Sequence, residues 1–303
     1  MNKNKIVKNF KKYFALYAML FIPIVYFIVF KYIPILGNIL AFRKYSPSAP
    51  LFGEKWIGFY YFKMFLTDSN FYSRFINTIL LSVYMLVIGF PIPIIFALMI
   101  NELRSKMAKK FVQTVSYLPH FISVVVVVGF ASQLLSTSGG AFNEIRKAFG
   151  YDAVNYMAKP EYFRSIYIIS ELWQNMGWNA IIYIAALAGV DIQLYEAAQI
   201  DGAGKWQQML NVTLPGIMPT IVITLILSIG NMLAIGYEKV LLLMNDLNKE
   251  TADIISTYVY RLGIVDGNYS YSTAVGLFNS VIGLVLVSIA NFISSKVSET
   301  SLW

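Results

Sequence analysis

The chain has 303 residues, of which 57% are hydrophobic and only 13% are charged. Soluble domains carry about a quarter charged residues, so this composition excludes an ordinary soluble domain and predicts a membrane protein. At roughly 20 apolar residues per span, the length allows one membrane domain of about six helices. The absence of cysteine from the sequence excludes disulfides, zinc thiolate sites and cysteine nucleophiles.

The net charge of +8 would fit a nucleic-acid-binding protein. Its distribution favours a different explanation, because residues 1–12 contain five lysines and no acid directly before the first apolar run. Lysines in that position predict a cytoplasmic leader beside anionic lipid. The partner we expect from this charge is therefore membrane lipid and not nucleic acid.

Residues 13–36 predict an uncleaved first transmembrane helix, because the apolar run is too long for the core of a signal peptide. Residues 37–75 are predicted to be an extracytoplasmic loop that ends in a dense aromatic stretch, from Trp56 to Phe75. Aromatic side chains before a span are typical of an interfacial elbow at the headgroup level. A platform that stacks against sugars is the alternative.

The remaining apolar runs lie within residues 76–295, which we expect to form the core transmembrane domain. They cover residues 76–100, 118–135, 163–187, 217–243 and 271–293, and a polar tail, 296–303, follows. If the N-terminus lies inside, the segments that face the cytoplasm have a higher density of Lys and Arg than the rest of the chain. This agrees with the positive-inside rule. Both termini are then cytoplasmic.

Single residues predict local features of these spans. Pro91 and Pro93 predict a kink in the second span. The run Val124–Val128 has the composition of a buried strand, but its length and its neighbours favour a helix. Gly230 and Gly236 predict interruptions in the fifth apolar run.

Residues 190–215 form a polar interruption between the fourth and fifth apolar runs. Asp191 is suited to cap a helix that begins at Ile192, because its carboxylate can accept the free amide hydrogens of the first turn. Gly202 is suited to end that helix, since glycine adopts positive φ without strain. A second short helix is expected to follow, and Pro215 is expected to open the next span.

The spacing of this interruption resembles the cytoplasmic signature of binding-protein-dependent ABC importer permeases. The matching residues are Glu196-Ala197-Ala198, Gly202 and Val212-Thr213-Leu214-Pro215. The family pattern has isoleucine where this chain has Val212, a conservative difference. Three motifs are similar to the carbohydrate-uptake branch of the family: Ile200-Asp201-Gly202-Ala203, Asn77-Thr78 and Tyr117-Leu118-Pro119-His120.

The resemblance implies an all-α integral membrane protein of about six transmembrane helices with the type I ABC importer permease fold. Coupling helices between helices 4 and 5, here residues 192–210, would dock in a groove of a separate ATPase. Glu196 would offer its carboxylate to a basic residue of that ATPase. The residues that the resemblance places in the coupling role are Glu196, Ala197, Ala198, Asp201, Gly202, Leu214 and Pro215.

The resemblance also implies the partners. A second, homologous permease subunit would form a heterodimer with this chain, two ATPase subunits would drive it, and an extracytoplasmic solute-binding protein would deliver an oligosaccharide. The sequence has no phosphate-binding loop of the Gly-x-x-x-x-Gly-Lys-Ser/Thr type, so ATP and Mg²⁺ would bind the partner ATPase, with no cofactor in this chain. The expected location is the bacterial cytoplasmic membrane.

Polar and aromatic side chains inside apolar runs predict where a solute passes, because burying polar groups in lipid is costly. The candidates are Trp173, Asn175, Trp178, Asn179, Asn231, Tyr237 and Glu238. Aromatic faces suit the C–H surface of a sugar, and amides suit its hydroxyls. Hydrogen bonds between helices, or a position at the outer interface, are the alternatives for each residue. Glu238 and Lys239 are adjacent and do not face each other on a helix, so each needs another partner.

His120 is the only histidine in the sequence. Without a second histidine or clustered carboxylates we expect neither a metal site nor a catalytic acid–base pair, and we predict that His120 packs near the cytoplasmic end of the third span. The rival functions are a permease for another solute, an intramembrane glycosyl- or acyltransferase, and a regulatory membrane protein without transport. The transferase would need a catalytic constellation that the sequence lacks, and the signature at Glu196 counts against the regulatory protein.

Overall fold

The computed structural model describes residues 12–46, 48, 50 and 52–297. Most of the predicted leader and tail therefore lies outside the described residues. Two compact units are present: residues up to Thr67 with Val259–Phe278, and Asp68–Tyr258 with the residues from Asn279 onward. The elements in chain order are α1 (Phe14–Phe42), β1 (Arg43–Lys44), β2 (Lys55–Trp56), α2 (Tyr60–Leu66), α3 (Ser69–Glu102), α4 (Lys106–Phe121), α5 (Val124–Leu134), α6 (Ala141–Ala148), α7 (Pro160–Ala188), α8 (Ile192–Ile200), α9 (Lys205–Gly230), α10 (Tyr237–Leu243), α11 (Lys249–Ala252), α12 (Ile255–Tyr260) and α13 (Tyr269–Val297).

Four of the described helices are long and apolar enough to cross a membrane: α1, α3, α9 and α13. Two bent pairs meet the same criteria together, α4 with α5 at an angle of 100° and α7 with α8 at 69°. The described chain thus contains four to six candidate spans, and the prediction of an all-α membrane fold is confirmed.

The first unit contains α1, which has exposed side chains along most of its length. The helix extends to Phe42, beyond the end predicted at residue 36, because its last turns continue in 3₁₀ geometry after the apolar run. Residues 37–75, the predicted extracytoplasmic loop, contain regular elements, and their location outside the cytoplasm stays a prediction. The antiparallel pair β1–β2, the helix α2 and the first turns of α3 lie there.

Aromatic packing explains why that segment is ordered. The rings of Phe42 and Trp56 stack with their centroids 5.6 Å apart and their planes 11° from parallel. Phe65 is fully buried and packs against Phe278, with 5.1 Å between the ring centroids. The aromatic stretch therefore supplies part of the core of this unit, and its role as an interfacial elbow stays a prediction.

The second unit begins with α3, whose start is set by Asp68. The Asp68 carboxylate accepts a hydrogen bond from the Asn70 amide at 2.9 Å, several residues before the predicted start of the span. A π-helical turn, Met85–Gly89, lies directly before Pro91. A wider turn accommodates the proline ring and its missing N–H. The helix α3 therefore continues through the position of the predicted kink without a break.

The third predicted span, residues 118–135, needs correction. The chain is already helical from Lys106, and α4 ends in a 3₁₀ turn that contains Pro119. The side chain of Ser123 accepts a bond from the Val126 amide at 3.4 Å and so starts a new helix, α5. The valine run is helical, as predicted.

The helix α7 supplies much of the core of the second unit. Its buried side chains contribute to two clusters, one with α10 and one with α3 and α9: Phe163, Tyr167 and Ile168 belong to the first, and Ala180, Tyr183 and Leu187 to the second. Gly177 allows α7 to approach α4 closely, because a Cβ added there would lie 2.2 Å from the backbone oxygen of Ser116.

The fifth apolar run is interrupted where the glycines predicted it. The helix α9 ends at Gly230, and Gly236 has φ +37° directly before α10. The expectation of a separate short helix before the span is wrong, because α9 runs from Lys205 through Pro215 without interruption. A π-helical turn, Met209–Thr213, lies before this proline. Between the longer helices, residues 136–163 contain α6, and residues 244–271 contain α11 and α12.

Candidate functional site

Residues 190–215, here called the coupling loop, contain α8 and the first turns of α9. The Asp191 carboxylate accepts a hydrogen bond from the Gln193 amide at 2.9 Å, so the predicted N-cap is confirmed. The helix ends at Ile200, and Gly202 follows with φ +77°. The predicted glycine stop is therefore confirmed as well.

Three contacts hold the coupling loop in one shape. The Tyr195 hydroxyl donates to Thr213 Oγ1 at 2.9 Å, which ties α8 to α9. The Gln208 side-chain amide donates to the Ala203 carbonyl at 2.7 Å. Lys205 lies 3.7 Å from the carboxylate of Glu102 at the end of α3. The loop is thus linked to the ends of two membrane helices.

The coupling loop presents an apolar surface. None of the residues of α8 is buried. Ile192 is 70% exposed, Ile200 87% and Trp206 70%. Glu196 is also exposed. Large apolar side chains that are exposed together are typical of a surface that binds another protein or a membrane.

The second unit also contains a cavity of about 860 Å³, lined by α3, α7, α9 and the interruption after α9. Of the predicted pathway residues, Trp178, Asn179 and Asn231 line it. Sequence reasoning missed Glu171 and Tyr183, which line it too. The signal for Glu171 was present, because an acidic residue inside an apolar run marks a functional position.

The other four predicted pathway residues, Trp173, Asn175, Tyr237 and Glu238, do not line this cavity. The Trp173 ring packs against Phe130 with 6.1 Å between the centroids. Asn175 makes hydrogen bonds between helices, the alternative that the sequence left open. Glu238 is exposed.

A buried ion pair lies at the edge of the cavity. The ammonium group of Lys239, on α10, donates to Glu171 Oε2. The Lys239 side chain is only 3% exposed and that of Glu171 is 25% exposed. Lys239 therefore pairs with an acid other than its neighbour Glu238, as the sequence predicted.

The ion pair continues into a polar contact with the only histidine. Asn175 Nδ2 donates to Glu171 Oε1 at 2.6 Å, and Asn175 Oδ1 lies 2.8 Å from His120 Nδ1. The imidazole ring stacks on Trp178, with centroids 4.3 Å apart and planes 6° from parallel. His120 packs as predicted, and its position near the cytoplasmic end of a span stays a prediction. Among the described residues, no group of three or more His, Cys, Asp or Glu side chains could hold a metal ion.

Comparison with known proteins identifies the family. Residues 70–299 match the model of the binding-protein-dependent transport system inner membrane component. The chain belongs to this family. Its fold is therefore that of a type I importer permease, and the chain is a transport subunit rather than the membrane-bound transferase considered above.

Two Bacillus subtilis (strain 168) proteins are similar over most of the chain. The polygalacturonan/rhamnogalacturonan transport system permease protein YteP is 44% identical over 95% of this chain and 90% of the relative. Protein LplB is 41% identical over 95% of this chain and 91% of the relative.

A solved structure agrees with this family membership. The matching chain belongs to a bacterial ABC transporter involved in the import of the acidic polysaccharide alginate. It is 42% identical with a TM-score of 0.89, and the match covers 97% of this chain and 99% of that one. A second solved structure, of a bacterial alginate ABC transporter in complex with an alginate pentasaccharide-bound periplasmic protein, matches with the same identity, coverage and TM-score.

Proposed function

We propose that this chain is one of two different permease subunits of an ATP-driven importer, and that it passes an oligosaccharide across the cytoplasmic membrane. An extracytoplasmic solute-binding protein delivers the sugar, and two ATPase subunits, which bind ATP and Mg²⁺, drive transport. The N- and C-termini and the coupling loop face the cytoplasm. Two of the matches support the substrate class, since the name of YteP refers to polygalacturonan and rhamnogalacturonan and the solved transporter imports the acidic polysaccharide alginate.

The observation that carries this proposal is the continuity between the coupling loop and the cavity. The helices α7 and α9 enter and leave the loop, and both line the cavity, α7 through Trp178 and Asn179 and α9 through Thr224 and Ser228. A displacement of the loop therefore moves two walls of the cavity. Rigid-body movement of packed helices is a common way to switch a protein between two states.

The exposed face of α8 supports the assignment of an ATPase partner. Small side chains at Ala197 and Ala198 allow a groove to approach the helix closely, and Ile192 and Ile200 offer apolar area. The Glu196 carboxylate pairs with a basic residue of the ATPase.

The chemistry of the cavity wall supports a sugar. Trp178 offers an aromatic face, and Asn179, Asn231 and Glu171 offer polar groups for hydroxyls. Pockets for small polar ligands combine apolar area with a few placed polar groups in this way.

The proposal is tested in proteoliposomes that contain the complex purified with this chain. Uptake is measured with the binding protein, ATP and labelled oligomers of galacturonic acid, alginate and arabinose, with an amino acid as the control solute. ATP-dependent accumulation of one of the oligosaccharides is the expected result. Accumulation of the amino acid instead, or of no solute, would contradict the proposed function.

A further inference from the structure

A continuous set of contacts lies behind the cavity wall formed by Glu171 and Trp178. Lys239 donates to Glu171 Oε2, Asn175 Nδ2 donates to Glu171 Oε1 at 2.6 Å, and Asn175 Oδ1 contacts His120 Nδ1 at 2.8 Å. The His120 ring then stacks on Trp178 at 4.3 Å between centroids. We call the four residues Lys239, Glu171, Asn175 and His120 the relay.

The chemistry of the groups gives the relay one direction. A carboxylate can only accept hydrogen bonds, so Asn175 must turn its NH₂ group towards Glu171 and its carbonyl oxygen towards His120. That oxygen can only accept, so His120 must carry a proton on Nδ1. The charge of Glu171 therefore fixes the orientation of the amide and the protonated nitrogen of the ring. Hydrogen bonds in such a series also polarise and strengthen one another.

The positions of Glu171 and Trp178 along α7 place both side chains on the cavity. Glu171 and Trp178 stand seven residues apart, about two helical turns, and both line the cavity, whereas Asn175 between them does not line it and contacts His120. At a rise of 1.5 Å per residue, Glu171 and Trp178 are separated by roughly 10 Å along the axis. Trp178 is covered by His120 on one face, yet it remains 41% exposed and lines the cavity.

Stability alone does not account for the ion pair at the start of the relay. Burying a charged side chain is expensive, and Lys239 is almost fully buried. Replacing a buried ion pair by apolar side chains is often neutral or stabilising, so such a pair is weak support for a purely structural role. A role in positioning a neighbouring group explains why the charges are placed beside the cavity.

We infer that the relay is a positioning device for sugar binding: it fixes the ring of Trp178 as a stacking surface for one sugar unit, while Glu171 accepts hydroxyl groups from the next. This inference rests on the proposed function and names the part of the cavity that binds the sugar chain. Trp178 and Glu171 touch the solute, and Asn175, His120 and Lys239 act through them. A change at Lys239 is then transmitted to a tryptophan that it does not contact.

A double-mutant cycle between the two ends of the relay tests this transmission. His120→Leu, Lys239→Met and the double variant are compared in the assembled importer, with the oligosaccharide that the wild type accumulates. Each single change should raise KM about tenfold, the upper range for loss of an aromatic stacking contact, with kcat changed less than about threefold. The double variant should show nearly the same KM as either single variant. Two sites that share no partners and lie more than about 7–10 Å apart would instead change KM additively.

Two further variants separate positioning from simple packing. His120→Gln keeps a planar amide with a donor and should recover most of the wild-type KM, which His120→Leu should not. Lys147→Ala, at an exposed ion pair with Glu144 of 2.8 Å, removes a similar charge elsewhere and should leave KM unchanged. If Lys239→Met prevents assembly, Lys239→Gln replaces it in the cycle, because a neutral amide keeps a hydrogen-bond donor and removes the charge beside Glu171.

The outcomes distinguish a failure of the relay from a failure of the proposed function. Additive changes in KM, or an unchanged KM in His120→Leu and Lys239→Met, would overturn the relay while sugar transport by the wild type stands. If the wild type carries no oligosaccharide, the proposed function fails. The sugar-binding role of the relay then fails with it.

Discussion

The coupling loop and the cavity wall share the helices α7 and α9, but they are built in opposite ways. The loop is formed by residues close together in the sequence, since Asp191 caps the helix that follows it and Gly202 ends the same helix. The wall joins His120, α7 and Lys239, which are distant in the sequence. The loop exposes apolar side chains, whereas the wall contains a buried ion pair. A surface that binds another protein can therefore be specified locally, while a site for a solute depends on tertiary packing.

The largest expected effect on stability falls on the cavity wall. Lys239→Met leaves the Glu171 carboxylate without its buried partner and should destabilise the protein by about 4 kcal/mol. Thermal unfolding of the detergent-solubilised complex measures the loss. The matched change Lys147→Met, at an exposed ion pair, should cost less than about 1 kcal/mol. Equal losses of stability at both positions would contradict the expectation that the buried ion pair matters more than the exposed one.

The approach of α7 to α4 gives the next largest effect. Gly177→Ala places a Cβ against the backbone of Ser116 and should destabilise the protein by about 3 kcal/mol. His120 should also lose its contact with Trp178, so KM for the sugar should rise. Gly129→Ala is the control, because nothing lies within 4 Å of a Cβ at that position. A stable Gly177→Ala variant with unchanged KM would contradict the packing described here.

The turn at Gly202 should show a smaller loss of stability with a larger loss of function. Gly202→Val forces a β-branched residue to φ +77° and should cost about 2 kcal/mol. Open space surrounds the position, so backbone strain is the only cause. Sugar-stimulated ATP hydrolysis should be lost while membrane insertion is kept. Gly202→Asn should retain most of the activity, since asparagine tolerates positive φ.

The hydrogen bond between α8 and α9 in the coupling loop has the smallest expected effect. Tyr195→Phe removes one hydrogen bond to Thr213 and should cost about 1 kcal/mol. Transport should fall modestly, because α8 and α9 are then coupled less rigidly to each other. Tyr72→Phe, at a tyrosine that is 65% exposed, is the comparison and should change neither quantity.

The two regions also differ in how well the sequence predicted them. The Asp191 cap, the Gly202 stop and the interruption at Gly230 depend on a few neighbouring residues, and the sequence predicted each of them. It predicted the start of α4 wrongly, because polar residues from Lys106 onward look like a loop but form the first turns of a helix.

Pairing between distant residues explains the errors at the cavity. Nothing in the local sequence brings His120 to Asn175 or Lys239 to Glu171, since Gly177 and the turn at Gly236 set those distances. Asn175 was consequently assigned to the pathway although it lies behind the wall. The assignments of Glu196 and of the pathway residues to their functional roles stay predictions.

The most direct test of the account is purification of the tagged native protein in mild detergent, with mass spectrometry of the proteins that accompany it. Wild type is compared with Ile200→Asp, which places a charge at a side chain that is 87% exposed. If the coupling loop binds the ATPase, a second permease and an ATPase accompany the wild type, and the variant keeps the second permease but loses the ATPase. An ATPase that remains bound to Ile200→Asp, or a wild-type chain that purifies alone, would contradict the assignment of the coupling loop.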